Sequence, residues 1–309
     1  MFTIGPVRID VHQHLWTDPF VEALERRDRL PFVRREGRLC IVHAAGEAPS
    51  AVDLEGEQPA HRRATLERDG LDRALIAISS PLGVEALPRE EAHELIDAHL
   101  SGVQALGERF GIWGPLPLDG IGPGDVDAAL ERGCVGVSLP AGAFTPLHML
   151  GRLDDALAHI EALAVPLFIH PGPGLRQRRP EPSLDGPLWW PALTEYVAQM
   201  HTAWLAFTTN VRRAHPGVRV VFAMLAGGAP LLSERLVARG GPRIDLDDPL
   251  VFYDTSSYGP AAIDAMTQRV GLRQLLYGSD RPVIEPQPGA SGVPSENADW
   301  LVQPAGIAP

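Results

Sequence analysis

The chain opens on a short alternation: Val7, Ile9 and Val11 are apolar, while Arg8, Asp10 and His12 between them are polar. That period of two predicts a strand, with residues two apart pointing the same way. From His61 onward the pattern becomes regular, with short apolar runs separated by longer stretches of helical period. Residues 61–69 read as a helix closing at Gly70, and Ala74–Ile78 as a buried strand. Pro88 introduces a helix over 89–109, with Leu95, Leu100, Val103 and Leu106 on its apolar side. There follow a strand at 111–115, a helix at 125–132, a strand at 134–139, a helix at 152–164 and a strand at 166–170. A long helix spans 191–213, and then come a strand at 218–224, a helix at 231–239, a strand at 250–254, a helix at 260–270 and a last strand at 274–277. Eight short apolar strands, mostly separated by helices, predict an α/β fold closed as a parallel, TIM-like (β/α)8 barrel. An open doubly wound sheet would usually carry a glycine-rich phosphate turn after its first strand. His12-Gln13-His14 stands there instead.

Two regions depart from the pattern. Residues 17–60 read as an irregular insertion: Pro31, Pro49 and Pro59 interrupt it, charges crowd at 25–29 and 34–38, and Leu39–Val42 offers one short strand. After Asp280 the tail includes Pro282, Pro286, Pro288, Pro294, Pro304 and Pro309, so the final barrel helix must be shortened. Its best remaining candidate is 295–302, capped by Ser295, with Trp300, Leu301 and Val302 as apolar contacts. Such a helix would leave apolar surface between the first and last strands without full cover, and surface of that kind is commonly an interface. A homodimer is therefore expected, with 283–309 contributing to the contact.

Composition narrows the function classes. A length of 309 residues suits a single barrel domain, which needs roughly 250, plus an insertion. A net charge of −12 argues against nucleic-acid and anionic-membrane partners and leaves a small-molecule substrate. No apolar run approaches the ~20 residues of a membrane span, and no signal peptide is evident. Two cysteines, Cys40 and Cys134, make no disulfide framework, so a reducing cytoplasm is expected. All 27 basic residues are arginine. Without lysine, Schiff-base catalysis, lysine-based phosphate loops and a two-metal site bridged by a carboxylated lysine are excluded.

In such barrels the chemistry sits at the C-terminal ends of the strands. His12 and His14 project together from the end of the first strand, and two imidazoles cannot fill a metal's coordination shell. The fifth strand ends in Ile169-His170-Pro171-Gly172, and the eighth in Tyr277-Gly278-Ser279-Asp280-Arg281. His12, His14, His170 and Asp280 together make a three-histidine, one-carboxylate set with room for a water, a plausible catalytic metal site. Trp16, Trp189 and Trp190 are candidates to wall a substrate pocket, although the last two could equally cover the barrel top. Tyr253 and Ser256 end the seventh strand, where their hydroxyls could orient substrate or be buried and satisfied. Arg281 could pair with a substrate carboxylate or with a structural acid. Arg176, Arg178 and Arg179 read as a solvated loop, while His43, His93, His99, His159, His201 and His215 show no partner pattern.

With these pieces in view the chain resembles the amidohydrolase superfamily, in its amidohydrolase-2 branch with the aminocarboxymuconate-semialdehyde decarboxylase-like enzymes. The matching segments are Asp10–His14, Phe168–Pro171, Ala226–Pro230 with Glu234-Arg235, Tyr253–Ser256 and Gly278–Asp280. The resemblance implies a distorted (β/α)8 barrel holding one divalent metal, typically zinc with manganese or iron as alternatives, on His12, His14, His170 and Asp280, and a water at the open position. The family usually ends its sixth strand with a histidine that polarises water or substrate; aligning Ala223 and Pro230 puts Met224 there. The function expected is hydrolysis of a small, carboxylate-bearing cyclic ester or amide-like substrate. Asp280 would be the general base, and Arg281 and the 253–257 turn would orient the substrate. Nonhydrolytic decarboxylation, with Asp280 protonating carbon, is the alternative within the enzymes. A noncatalytic ligand-binding barrel is the alternative outside them, because of Met224.

Overall fold

The computed structural model describes residues 7–175, 187, 189–287 and 293–302. The barrel's first strand is β1 (Ile9–Gln13), whose five residues are all buried because strands flank it on both edges and its two faces are covered. Three strands of a separate sheet follow: β2 (Phe32–Glu36), β3 (Leu39–His43) and β4 (Ser50–Asp53). The barrel continues with β5 (Arg73–Ile76), β6 (Phe110–Pro115), β7 (Gly136–Pro140) and β8 (Leu167–His170). It ends with β9 (Val220–Phe222), β10 (Val251–Asp254) and β11 (Leu275–Leu276). The order is β1-β5-β6-β7-β8-β9-β10-β11, with every neighbouring pair parallel. The chain is a (β/α)8 barrel.

Helices α1 (Asp18–Glu25), α2 (Pro59–Arg68), α3 (Arg89–Gln104), α4 (Pro123–Glu131) and α5 (Asp154–Ala162) lie in the first half. In the second half come α6 (Trp190–Ala206), α7 (Arg212–Ala214), α8 (Ser233–Ala238) and α9 (Pro260–Val270). Proline at the first turn of α1, α2, α4, α6 and α9 marks where these helices begin, since a proline there gives up an amide that would have no partner. The predicted long helix runs from α6 to α7 through a wide turn at Phe207–Val211. There Thr208 and Thr209 hydroxyls donate back to the carbonyls of Trp204 and Leu205, at 2.7 and 2.6 Å.

The region 17–60 is not irregular. Asp18-Pro19 starts α1, which buries Phe20, Val21, Ala23 and Leu24. Strands β2, β3 and β4 form an antiparallel sheet whose inner face presents Val33, Cys40 and Val42. Its outer face carries Arg34 and Glu36, while Arg35 is exposed toward the end of the Val33 face, so the charges that suggested a loop sit on a strand buried at Val33. Both cysteines are free and buried, and no helix among the described residues is long and apolar enough to cross a membrane.

Barrel closure is made by backbone beyond β11 rather than by β11 itself. Val11 N–H donates to Tyr277 O at 2.9 Å, Asp280 N–H to His12 O at 2.8 Å and His14 N–H to Arg281 O at 2.6 Å. Asp10 staples this seam: its buried carboxylate accepts from the amides of His12 (3.1 Å) and Ser279 (3.0 Å) and from Gln13 Nε2 (2.7 Å). Residues Ser295–Val302 form a 3₁₀ helix packed on β1 and β11, with Ala298 and Leu301 buried. The Trp300 ring lies 4.6 Å from that of Phe252. The shortened final helix thus covers the surface that was expected to stay open.

Replacing Asp10 by alanine leaves two buried amides at the seam without partners. We expect a loss of roughly 2–6 kcal/mol of stability, at about 1–3 per orphaned group. Denaturant unfolding of metal-free protein measures it, and a loss under ~0.5 kcal/mol would show that Asp10 does not hold the seam.

Candidate metal centre

His12 and His14 face the barrel axis from β1, and His170 from the end of β8. Their rings are 4.9–5.0 Å apart, centroid to centroid, and nearly perpendicular in each pairing, at 86–88°. Asp280 Oδ1 lies 3.1 Å from His14 Nε2 and 3.5 Å from His12 Nε2. One ligand atom from each of the four residues falls within 4.8 Å of the others, and all four are buried.

The hydrogen bonds behind the rings decide what the cluster can hold. His12 Nδ1 meets Asp254 Oδ2 at 2.9 Å, His14 Nδ1 meets Ala77 O at 2.9 Å, and His170 Nδ1 meets Pro171 O at 2.8 Å. Carboxylates and carbonyls only accept, so each Nδ1 carries the hydrogen and each neutral ring turns a bare Nε2 lone pair inward. His12 Nε2 and His14 Nε2 are 3.2 Å apart with no proton to share in that state. Facing lone pairs at that distance call for a cation, and three imidazoles with a carboxylate are a fitting donor set for a divalent metal.

Charge acts in the same sense. Burial opposes a charge on His12, but the carboxylates of Asp254 and Asp280 outweigh it and raise the group to about 9. Burial and the neighbouring imidazoles push His170 well below its ordinary value. Burial would raise Asp280, yet His12, with His14 and His170, draws it down to about 2. Without a metal, then, His12 holds a proton that a metal must displace. The floor is apolar: Phe168 lies edge-on beneath His12 at 5.1 Å and stacks on Trp113, also at 5.1 Å.

Asp254 was missed in the sequence although Tyr253–Ser256 was noted. It is fully buried, holds His12 through Oδ2, and through Oδ1 accepts from Ser256 Oγ and the amides of Ser256 (2.9 Å) and Met224 (3.1 Å). Asp254 faces inward, so Tyr253 faces out: its hydroxyl accepts from Trp204 Nε1 on α6 at 3.1 Å. Tyr253 is a wall residue, not a substrate contact, and Ser256 supports Asp254 and His12. Arg281 binds Asp69 and Glu285 through its guanidinium, the structural acids weighed above against a substrate carboxylate. Trp16 is buried beside Phe20 with its amide on Glu57, and Trp189 and Trp190 are more than half exposed. Arg176, Arg178 and Arg179 lie outside the described residues.

Met224 stands one residue beyond β9, after Ala223, and begins five successive residues of left-handed φ, through Leu225, Ala226, Gly227 and Gly228. Of the six described non-glycine residues with positive φ, five (Met224, Leu225, Ala226, Ser257 and Asp280) follow the sixth, seventh and eighth barrel strands. Each costs roughly 1–3 kcal/mol, and strain of that size collects where function requires it. Here it brings the Met224 amide onto Asp254 and the Asp280 carboxylate onto the imidazoles.

No family model and no curated protein matches the chain. Solved structures do. A 5-carboxyvanillate decarboxylase from Novosphingobium aromaticivorans, with bound manganese, is similar at 17% identity and TM-score 0.67, over 97% of this chain and 92% of that one. A 2,6-dihydroxybenzoate decarboxylase from Rhizobium is similar at 14% identity and TM-score 0.63, over 96% and 98%. An amidohydrolase II is similar at 18% identity and TM-score 0.65, over 89% and 87%. The chain has their fold.

Asp254→Asn should lower metal affinity by about ten- to a hundredfold, because His12 loses its charged partner. In the wild type, affinity should rise with pH up to about 9, as the proton displaced from His12 becomes easier to remove. Chelator competition across pH measures both. Full metal content in the His12→Ala/His14→Ala double variant would refute the site.

Proposed function

We propose that the chain is a metal-dependent decarboxylase of a small unsaturated carboxylic acid, in the amidohydrolase-2 branch of the amidohydrolase superfamily. The observation that carries this reading is Arg281. Its guanidinium is occupied by Asp69 and Glu285, and among the described residues no arginine side chain hydrogen-bonds to the four ligands. In this reading the metal position gives a substrate carboxylate its positive partner, at the carboxyl–carbon bond that is to be broken. A divalent ion held there would supply that charge and fix the carboxylate in place. The donor set accepts zinc, manganese or iron, and the manganese of the neighbouring decarboxylase puts that metal beside zinc in any test.

Asp280 divides its two oxygens. Oδ1 faces the imidazoles, while Oδ2 accepts a hydrogen bond from Ser257 Oγ at 3.1 Å. Oδ2 is thus the atom where a proton can be held and passed on. When the carboxyl–carbon bond breaks, its electron pair stays on carbon and takes that proton, so the substrate anion and one proton give the protonated product and carbon dioxide. The imidazoles draw Asp280 down to about 2 against its burial, so it is ionised at rest and the proton that reaches carbon is drawn from solvent. Hydrolysis of an ester or amide, the second reading, uses the same oxygen in the opposite sense, taking a proton from water.

Turnover of aromatic and unsaturated acids in heavy-oxygen, heavy-hydrogen water separates the readings. Decarboxylation puts one deuterium on carbon and no solvent oxygen in the organic product; hydrolysis puts solvent oxygen there. Asp280→Asn should lower the rate by about a hundredfold or more. Met224→His should leave metal content unchanged and alter the rate or its pH profile. Metal bound stoichiometrically with no turnover of acids, lactones or amides would leave a ligand-binding barrel.

We further propose a cytoplasmic homodimer, in keeping with the two free buried thiols. With the tail seated on β1 and β11, the exposed apolar residues Trp189, Trp190 and Leu193 at the start of α6 are the better contact. Leu193→Asp should then yield monomers in light scattering, and a wild-type monomer at micromolar concentration would sink the proposal.

A further inference from the structure

Two of the three acceptors that fix the imidazoles lie on loops that touch. Ala77 O, which holds His14, opens the loop after β5; Pro171 O, which holds His170, opens the loop after β8. No spare space separates them: a methyl group added at Gly172 would lie 2.7 Å from Ser80 Cβ and 2.9 Å from Ser80 O. On its other side Gly172 donates its amide to Gln199 Oε1 at 2.8 Å. Ser80 is held in turn, its hydroxyl donating to Glu85 Oε1 at 2.5 Å. The Glu85 side chain is fully buried, Oε2 has no hydrogen-bond partner, and the Glu85 carbonyl takes the Leu118 amide at 2.8 Å.

We propose that Glu85 is a positioning residue for the metal site: through Ser80 it holds the loop after β5 against Pro171-Gly172, and so keeps both carbonyls where His14 and His170 need them. The inference rests on the metal reading above. Burial raises the Glu85 carboxyl to about 7, against the pull of Ser80 and its own amide, so a neutral acid is accommodated without a counter-charge. The charged groups on the elements around it, Arg89 on α3 and the acids Asp119 and Asp125, are engaged with one another. Between its ordinary value and about 7 the folded state holds the proton that the unfolded chain releases, so this group makes stability fall as pH rises through that window.

The test measures manganese and zinc affinity by chelator competition, and melting of the metal-free protein, in the full-length chain. Glu85→Ala and Ser80→Ala should weaken metal binding about tenfold, the size of a lost outer partner. Glu85→Gln still accepts from Ser80, so its affinity should stay within about twofold. Its Tm should exceed the wild type's by a few degrees at pH about 8 and match it at pH about 5. Wild-type affinity in Ser80→Ala, which also decides the matter if Glu85→Ala fails to fold, would overturn the proposal. A tenfold loss in Glu85→Gln would overturn it as well. Failure of the wild type itself to bind metal would instead refute the metal reading.

Discussion

Lone pairs on neighbouring imidazole nitrogens repel, and the top of this barrel directs three of them toward one point, so a proton on His12 or a cation must stand between them. Each is held by a hydrogen bond from its far nitrogen, to Asp254, to Ala77 O and to Pro171 O, so no ring can rotate to relieve the repulsion without breaking a buried bond. Much of the surrounding structure makes sense as the means of enforcing that arrangement. Asp10 fixes the seam from which Asp280 projects, and the left-handed residues after the last three barrel strands bring side chains and amides inward. An apolar floor of Phe168 and Trp113 denies the rings solvent that would otherwise satisfy them. A cation relieves every one of these costs together, which is why metal and fold stability are coupled here.

Met224 takes on a different meaning in this setting. A histidine at the end of the sixth strand would bring another ionisable group to the site. Methionine brings none, yet its amide donates to Asp254, so the backbone has a structural role there without an ionisable side chain. His201 on α6 adds a hydrogen bond to Gly227 O at 2.8 Å, pinning the same strained turn from outside. The sixth strand therefore serves the metal through Asp254 and His12. In the proposed reaction the proton-transfer duty falls on Asp280.

The sequence was most informative where period and chemistry coincided. Each of His12, His14, His170 and Asp280 closes or follows an apolar run, so their placement at strand ends could be read from spacing alone. Tyr253 and Asp254 show the limit: adjacent residues on a strand face opposite sides, and nothing in a four-residue run says which side is the axis. Arg281 could be paired only once the fold brought Asp69, from far earlier in the chain, alongside it. The sheet of β2–β4 was hidden because short antiparallel strands with one wet face resemble charged loops. Glu85 was hidden for the opposite reason, since an acid is ordinarily a surface residue and its burial is a tertiary fact.

Counting charge at the centre constrains what it can hold. Three neutral imidazoles contribute nothing, while Asp280 and, behind His12, Asp254 contribute one negative charge each. The hydrogen bonds that Asp254 accepts from His12, Ser256 and Met224 come from neutral donors, so they hold its charge without cancelling it. The Phe168–Trp113 floor cannot solvate charge, so two uncompensated carboxylates would be costly to bury. A proton on His12 offsets one of them, and a divalent ion would offset both.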